Sequence, residues 1–238
     1  MPLQPRWLYD ERTAAGLDFT DPAEVERYEA GQPPPEEVEK EAERILGLLG
    51  AGEGSAVLDM GAGTGSFAIA AAKRCARVYA VDVSRAMLER AREKAARAGV
   101  ENVEFHHGGF LTYAHGSEPL DAVVSKAALH HLPDFWKQVA LNRLSGMLRP
   151  GGRLYLSDAV YSFDPHDYER VFNEMFPKPS GPDGTNAAPD FMVAVREEFV
   201  TMDWILEEML RRAGFAIDEA NHPNASWGSY ACTRGRGT

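Results

Sequence analysis

Residues 56–82 read AVLDMGAGTGSFAIAAAKRCARVYAVD, and this stretch decides the fold. A short apolar run comes first, glycines alternate at positions 61, 63 and 65, and an alanine-rich helical segment follows. A second predicted strand, residues 77–81, is followed by Asp82. Glycines let a ligand approach the backbone closely, and an acidic side chain about 20 residues later is placed to accept hydrogen bonds from a ribose. The stretch therefore predicts a strand, loop, helix and strand that together bind a nucleoside-type cofactor.

The glycine spacing indicates which cofactor is bound. A dinucleotide-binding loop has its third glycine three positions after the second, where this chain has Ser66, so a dehydrogenase on a related fold is disfavoured. The pattern Asp59-x-Gly61-x-Gly63-x-Gly65 instead resembles motif I of the class I S-adenosylmethionine (SAM)-dependent methyltransferases. Within that family, the chain resembles the small-molecule branch, of the ubiquinone/menaquinone-methyltransferase-like type.

The second half of the chain extends this resemblance. Residues 129–134 read LHHLPD, a helical segment follows, and LRPGG at 148–152 precedes an apolar strand that ends near Asp158. The resemblance covers about residues 36–233. It implies an α/β, Rossmann-like doubly wound fold, with a mostly parallel sheet, an antiparallel closing strand and a helical cap insertion.

The resemblance also implies a set of cofactor-binding residues. Gly61, Ala62 and Gly63 would line the cofactor, Asp82 would hold the ribose hydroxyls, and Asp59 would support the loop and the amino group. Val83 and Met87 would pack on the adenine ring, and Ser125 at the end of the fourth strand belongs to the same set.

Three further residues of this set come from less regular segments. Tyr28, in the N-terminal helical segment, is a candidate to reach the methionine carboxylate, although it is equally a candidate surface or core aromatic. Family members often carry an aspartate after the third strand that accepts from the adenine amino group, and this chain has Gly109 there. Only the backbone of Gly109 is then left to contact the base, with Phe110 stacking on it or donating its N–H.

His130 and His131 are the candidate catalytic residues. They follow the fourth strand, beside the expected methyl position, and the pKa range of histidine suits a general base or an orienting group for a hydroxyl or amine acceptor. The alternative is that they only shape the pocket or cap the next helix. A metal site of His, Asp and Glu side chains stays open as an alternative, but no metal-ligand spacing stands out, so no metal site is predicted.

The chain divides into a core and two individual parts. Residues 1–35 form a segment expected to cover the cofactor, and residues 36–160 and 201–238 form the SAM-binding core. Residues 161–200, rich in prolines and aromatics, form an insertion expected to cap the substrate, because long insertions in compact domains are rarely idle. Within it, Glu197 and Glu198 are expected to face solvent.

Composition restricts the partners. A formal net charge of -11 disfavours a nucleic-acid partner, which would require a basic face. Residues 125–128, SKAA, also lack the Asn/Asp-Pro-Pro-aromatic signature of enzymes that methylate base amino groups. Two cysteines, Cys75 and Cys232, cannot form a disulfide framework, and no stretch is long and apolar enough to predict a membrane span, so a cytoplasmic location is expected.

The sequence thus predicts a SAM-dependent methyltransferase that transfers a methyl group to a small-molecule acceptor by in-line displacement. The alternative is a methyltransferase-like protein that binds SAM without catalysis, as a sensor or partner subunit. The acceptor is not identified by any motif, and the oligomeric state, for which a homodimer is one option, is left open.

Overall fold

The computed structural model describes residues 5–13, 15–176 and 189–235 of the chain. Its centre is one eight-stranded sheet in the order β3-β2-β1-β4-β5-β8-β7, and the short β6 pairs with β5 off this path. The strands are β1 (Ala56–Met60), β2 (Arg77–Asp82), β3 (Val103–His107), β4 (Leu120–Lys126), β5 (Leu148–Tyr161), β6 (Thr201–Met202), β7 (Phe215–Asn224) and β8 (Trp227–Arg234). Strands β1 to β5 run parallel, and β8 is antiparallel to both of its neighbours, β5 and β7.

Helices cover both faces of the sheet. They are α1 (Pro22–Ala30), α2 (Pro35–Leu49), α3 (Ser66–Ala72), α4 (Arg85–Ala98), α5 (Asp134–Met147), α6 (Tyr168–Met175), α7 (Pro189–Glu197) and α8 (Asp203–Arg212). Short 3-10 turns stand at Leu129–His131 and Pro165–Asp167. Within the described residues, every helix is too short or too polar to cross a membrane.

The hydrophobic core has two layers, because the central strands bury side chains on both faces. On one face, Leu58 and Val123 pack with residues of α5 and α8 such as Leu144 and Leu210. On the other face, apolar side chains of α2 and α3 pack on the sheet around Val57. The predicted doubly wound α/β fold with an antiparallel closing strand is confirmed.

The insertion contributes α6 and α7, and its residues 177–188 lie outside the described part of the chain. Directly after α7, the backbone N–H of Phe199 donates to the carbonyl of His130 at 2.9 Å. This bond fixes the end of the insertion against the turn that follows β4.

Candidate active site

A cleft lies at the carboxyl ends of strands β1 to β4, where open α/β sheets bind ligands. Its empty space, counted to the open mouth, is about 960 Å³. Nine of the predicted site residues line it: Tyr28, Gly61, Gly63, Asp82, Val83, Met87, Gly109, Phe110 and His131. The other four, Asp59, Ala62, Ser125 and His130, are not part of this lining. Residues 11–13, 15 and 17–20 of the N-terminal segment also line the cleft.

The glycine loop is held in place by its own backbone. The N–H groups of Gly61 and Ala62 donate to the carbonyl of Val81 at 2.9 and 3.0 Å, which ties the end of β1 to β2. Gly61 has φ +77°, and a Cβ added there would overlap the side chain of Ala128 after β4. Glycine is required at position 61 because both the backbone conformation and the close approach of this neighbouring loop exclude a side chain.

Asp82 joins the loop to the start of α4. Its Oδ2 accepts from the backbone N–H of Gly63 at 2.8 Å, and its Oδ1 accepts from that of Ser84 at 2.8 Å. Burial raises the pKa of Asp82, and these N–H donors oppose the shift. Each carboxylate oxygen has a second lone pair, so a buried acceptor in the wall of the cleft remains available to a diol.

Asp59 lies beneath the loop and is fully enclosed, with 2% of its surface exposed. Burial raises its pKa from 3.8 to about 7, and the charge of Lys126 acts in the opposite direction. Among the described residues, no hydrogen-bond partner reaches Asp59 Oδ2 or the buried hydroxyl of Ser125. An unpaired buried carboxylate oxygen is costly, so Asp59 is suited to a cationic or hydrogen-bonding ligand.

Glu11 is a site residue that sequence reasoning missed. Its carboxylate accepts from the backbone N–H of Leu111 at 2.9 Å and from the hydroxyl of Thr112 at 2.6 Å. A Cβ added to Gly109 would stand only 2.5 Å from Glu11 Oε2. The expectation that Gly109 leaves only backbone at this point is therefore corrected, because a carboxylate from the N-terminal segment fills the space that a side chain at 109 would take.

The two histidines have different surroundings. Nδ1 of His130 bonds the carboxylate of Asp158, and its Nε2 lies 3.2 Å from Glu198 Oε2. His131 faces the cleft, with Nδ1 3.2 Å from the carbonyl of Ala15 and 3.9 Å from Glu198 Oε1. The prediction that Glu198 faces solvent is wrong: only 7% of its side chain is exposed, because Gly16 and the two histidines cover it. Glu197 is exposed, as predicted.

The contacts of His130 and His131 determine the charge of each ring. Burial by itself would lower the pKa of His130, but the carboxylates of Asp158 and Glu198 outweigh it and raise the pKa to about 10. Burial and the neighbouring charge of His130 lower the pKa of His131 to about 4. At neutral pH the pair therefore consists of a cationic His130 between two carboxylates and a neutral His131 at the surface of the cleft.

One ligand-type atom from each of His130, His131 and Glu198 lies within 4.8 Å of the others, so this group could hold a metal ion. Two histidines that are adjacent in the sequence do not match a metal-ligand spacing, and Glu198 belongs to the insertion. The third ligand could therefore be found only in the tertiary structure.

The fold and the cleft define a class of protein, the α/β enzymes that bind a nucleoside cofactor at the carboxyl ends of parallel strands. A family profile described as Methyltransferase domain matches residues 57–152. An uncharacterized methyltransferase from Anoxybacillus flavithermus is 30% identical over 175 residues, which cover 74% of this chain and 76% of that relative. The chain belongs to the class I SAM-dependent methyltransferases, and SAM is its cofactor.

Two further proteins extend the comparison. A 27-O-demethylrifamycin SV methyltransferase from Amycolatopsis mediterranei is 33% identical over 135 residues, which cover 54% of this chain and 49% of that protein. The crystal structure of magnesium protoporphyrin IX methyltransferase from Synechocystis with bound S-adenosylhomocysteine (SAH) has 19% identity and a TM-score of 0.64, and the match covers 89% of this chain and 94% of that one. At that identity the structural match supports the fold alone, and the quinone-methyltransferase subtype stays a prediction.

Proposed function

We propose that this methyltransferase acts on a small-molecule acceptor, which binds at the His131 end of the cleft. The observation that carries the proposal is the continuity of the cleft: one lining runs from Asp82 and Gly109, through the glycine loop, to His131 and Leu132. Cofactor and acceptor would thus meet in a single continuous cleft. The 27-O-demethylrifamycin SV methyltransferase named above has a small molecule in its name, which agrees with this acceptor class.

The chain offers a complementary group for each part of SAM. Asp82 would accept from the ribose hydroxyls, while Gly61 and Gly63 would let the methionine part approach the backbone. Asp59, with its unpaired oxygen, would act on the amino group, through water where the loop intervenes. The set expected from sequence is completed by Tyr28, Ala62, Val83, Met87, Phe110 and Ser125, which would surround the carboxylate, the methionine chain and the adenine ring.

Glu11 would complete the nucleoside end of the cleft. Its carboxylate lies over Gly109 and is bonded to Leu111 and Thr112, next to Phe110. A carboxylate there can accept from an exocyclic amino group. The N-terminal segment that carries Glu11 would then bind the cofactor as well as cover it.

SAM supplies a methyl group on a sulfonium, so the protein mainly has to align the acceptor and exclude water. Residues 11–13, 15 and 17–20 line the cleft and would limit the access of solvent to it. His131, which faces the cleft, would orient the acceptor or take its proton. His130, held by Asp158 behind it, would position this turn and add a positive charge near the acceptor.

Calorimetric titration of the purified protein with SAM, SAH and NADH tests the cofactor site. We expect micromolar binding of SAM and SAH and none of NADH. Incubation with SAM and a panel of phenol, quinone, amine and fatty acceptors, followed by SAH release, then tests the acceptor class. Small acceptors that give no SAH, while a macromolecular extract does, would refute the proposal. SAM binding without turnover on any acceptor would favour the non-catalytic alternative.

A further inference from the structure

A group of buried ionisable side chains lies under the His131 end of the cleft. It joins three separate parts of the chain: the turn Leu129–His131, strand β5 and the residue that follows α7. His130 Nε2 is 3.2 Å from Glu198 Oε2, and His131 Nδ1 is 3.9 Å from Glu198 Oε1. The side chains of His130 and Glu198 are 9% and 7% exposed.

These separations are close to those around a bound metal ion. Ligand atoms that coordinate zinc at about 2.0–2.2 Å in a tetrahedron lie about 3.3 Å from one another. The His130 to Glu198 separation has this value already, and the remaining atoms need to move inward by about 1 Å or less, since all three lie within 4.8 Å. A histidine–carboxylate set with three protein ligands is the donor set of zinc sites that keep one position open.

The surroundings of His130 favour the same assignment. Nδ1 of His130 bonds Asp158, so the ring is fixed with Nε2 directed at Glu198. Asp158 is itself held by the backbone N–H groups of Leu129 at 2.7 Å and Ala159 at 2.8 Å. A carboxylate that orients a ligating histidine through its other nitrogen is the usual support of a metal centre.

We propose that His130, His131 and Glu198 bind one divalent transition-metal ion of the zinc class, with Asp158 as the orienting partner of His130. Imidazole and carboxylate donors suit Zn²⁺ and exclude a site designed for Ca²⁺ or Mg²⁺, which prefer oxygen ligands alone. Coordination through Nδ1 of His131 would replace its contact with the carbonyl of Ala15. Coordination through Nε2 of His130 would release the proton of that nitrogen to solvent, so the ion would take the place of the positive charge on the ring. The open position lies on the side of His131, which faces the cleft.

This metal site would refine the proposed function. It rests on that proposal in one respect, namely that the acceptor binds at the His131 end of the cleft. An ion at this place would bind an acceptor through oxygen, as in a phenol, an enol or a carboxylate. His131 would then orient the acceptor through the ion rather than by direct contact.

The test uses the untagged full chain, stripped with a chelator and dialysed against Zn²⁺, with metal content measured by elemental analysis. We expect one zinc per chain, and a Co²⁺ adduct with the visible absorption of a tetrahedral site. Glu198→Gln removes one ligand charge at constant size and should abolish stoichiometric binding. Asp158→Asn should weaken binding by about 10–100-fold, as loss of an orienting carboxylate does. The exposed neighbour Glu197 provides the matched control, and Glu197→Gln should bind zinc as the wild type does.

Less than stoichiometric zinc in the wild type would overturn the proposal and leave His130 and Glu198 as an ion pair. Equal zinc binding by wild type and Glu198→Gln would overturn it as well, because the ion would then be held elsewhere. SAM titration of the same samples reports folding and separates the two proposals. A wild type that binds SAM but less than one zinc would refute the metal site alone, while a wild type that binds zinc but transfers no methyl group would refute the proposed function alone.

Discussion

Replacement of Asp59 by asparagine should stabilise the protein and weaken its binding of SAM. The carboxyl of Asp59 has an ordinary pKa near 3.8 when exposed and a pKa of about 7 in the fold, chiefly because it is buried. A raised pKa means that the folded state favours the protonated acid. The contribution of Asp59 to stability is therefore fully present below pH 3.8 and is lost as the pH rises through about 7.

The magnitude follows from the size of the shift. A shift of three pKa units corresponds to a contribution of about 4 kcal/mol to the free energy of unfolding, and this contribution is lost above pH 7. About 3 kcal/mol of it is lost between pH 5 and pH 8. Asparagine cannot ionise, so the advantage of Asp59→Asn over the wild type should grow by about 3 kcal/mol across that interval. Bound SAM, which is cationic at its sulfonium and amino groups, should favour the ionised carboxylate, so the variant should bind it roughly 10–100-fold more weakly at pH 8.

Urea unfolding at pH 5, 6, 7 and 8 measures the first effect, and calorimetric titration with SAM measures the second. Glu53→Gln is the control, since Glu53 is exposed and its substitution removes the same formal charge. A stability difference between Asp59→Asn and the wild type that is equal at pH 5 and pH 8 would refute the reasoning about burial. Unchanged SAM affinity at pH 8 would remove Asp59 from the cofactor site.

Three further substitutions test the cleft. Asp82→Ala should weaken SAM binding by about 1–3 kcal/mol, because it leaves the N–H of Gly63 and the ribose hydroxyls without an acceptor, and calorimetry that finds equal affinity would exclude Asp82 as a ligand. Glu11→Gln should weaken SAH more than S-inosylhomocysteine, which lacks the exocyclic amino group; equal losses for both would contradict the assignment of Glu11 to the base. Gly61→Ala should destabilise the fold by about 1–2 kcal/mol or more, measured by urea unfolding, since alanine at φ +77° is strained and its Cβ meets Ala128. A fully stable Gly61→Ala variant would show that the loop can rearrange.

The parts predicted well from sequence depend on residues that are near one another in the chain. The glycine loop, Asp82 and the start of α4 lie within about 30 residues, and their hydrogen bonds form within one strand, loop, helix and strand unit. Local spacing therefore carried most of the information about the cofactor end. The doubly wound order of strands followed because buried parallel strands that alternate with helices permit few arrangements.

The parts missed depend on contacts between distant segments. Glu11 meets Thr112 across 101 residues, and no local pattern marks a glutamate in an irregular N-terminal segment as a site residue. Glu198 looked like one of two surface charges, yet of these two adjacent residues at the end of α7 Glu197 is exposed and the side chain of Glu198 is buried. Asp158 was visible only as the end of a strand, and its bond to His130 requires that β4 and β5 be neighbours in the sheet.

The sequence alone determined the strand, loop and helix order, the glycine loop and the acid that follows it, because backbone conformation and the burial pattern of short segments are encoded locally. Only the tertiary structure decided that Glu11 lines the cleft and that Asp158 and Glu198 contact the histidines, and these contacts set the charge of each histidine. Burial and pairing set these charges, and both arise when segments far apart in the chain come into contact.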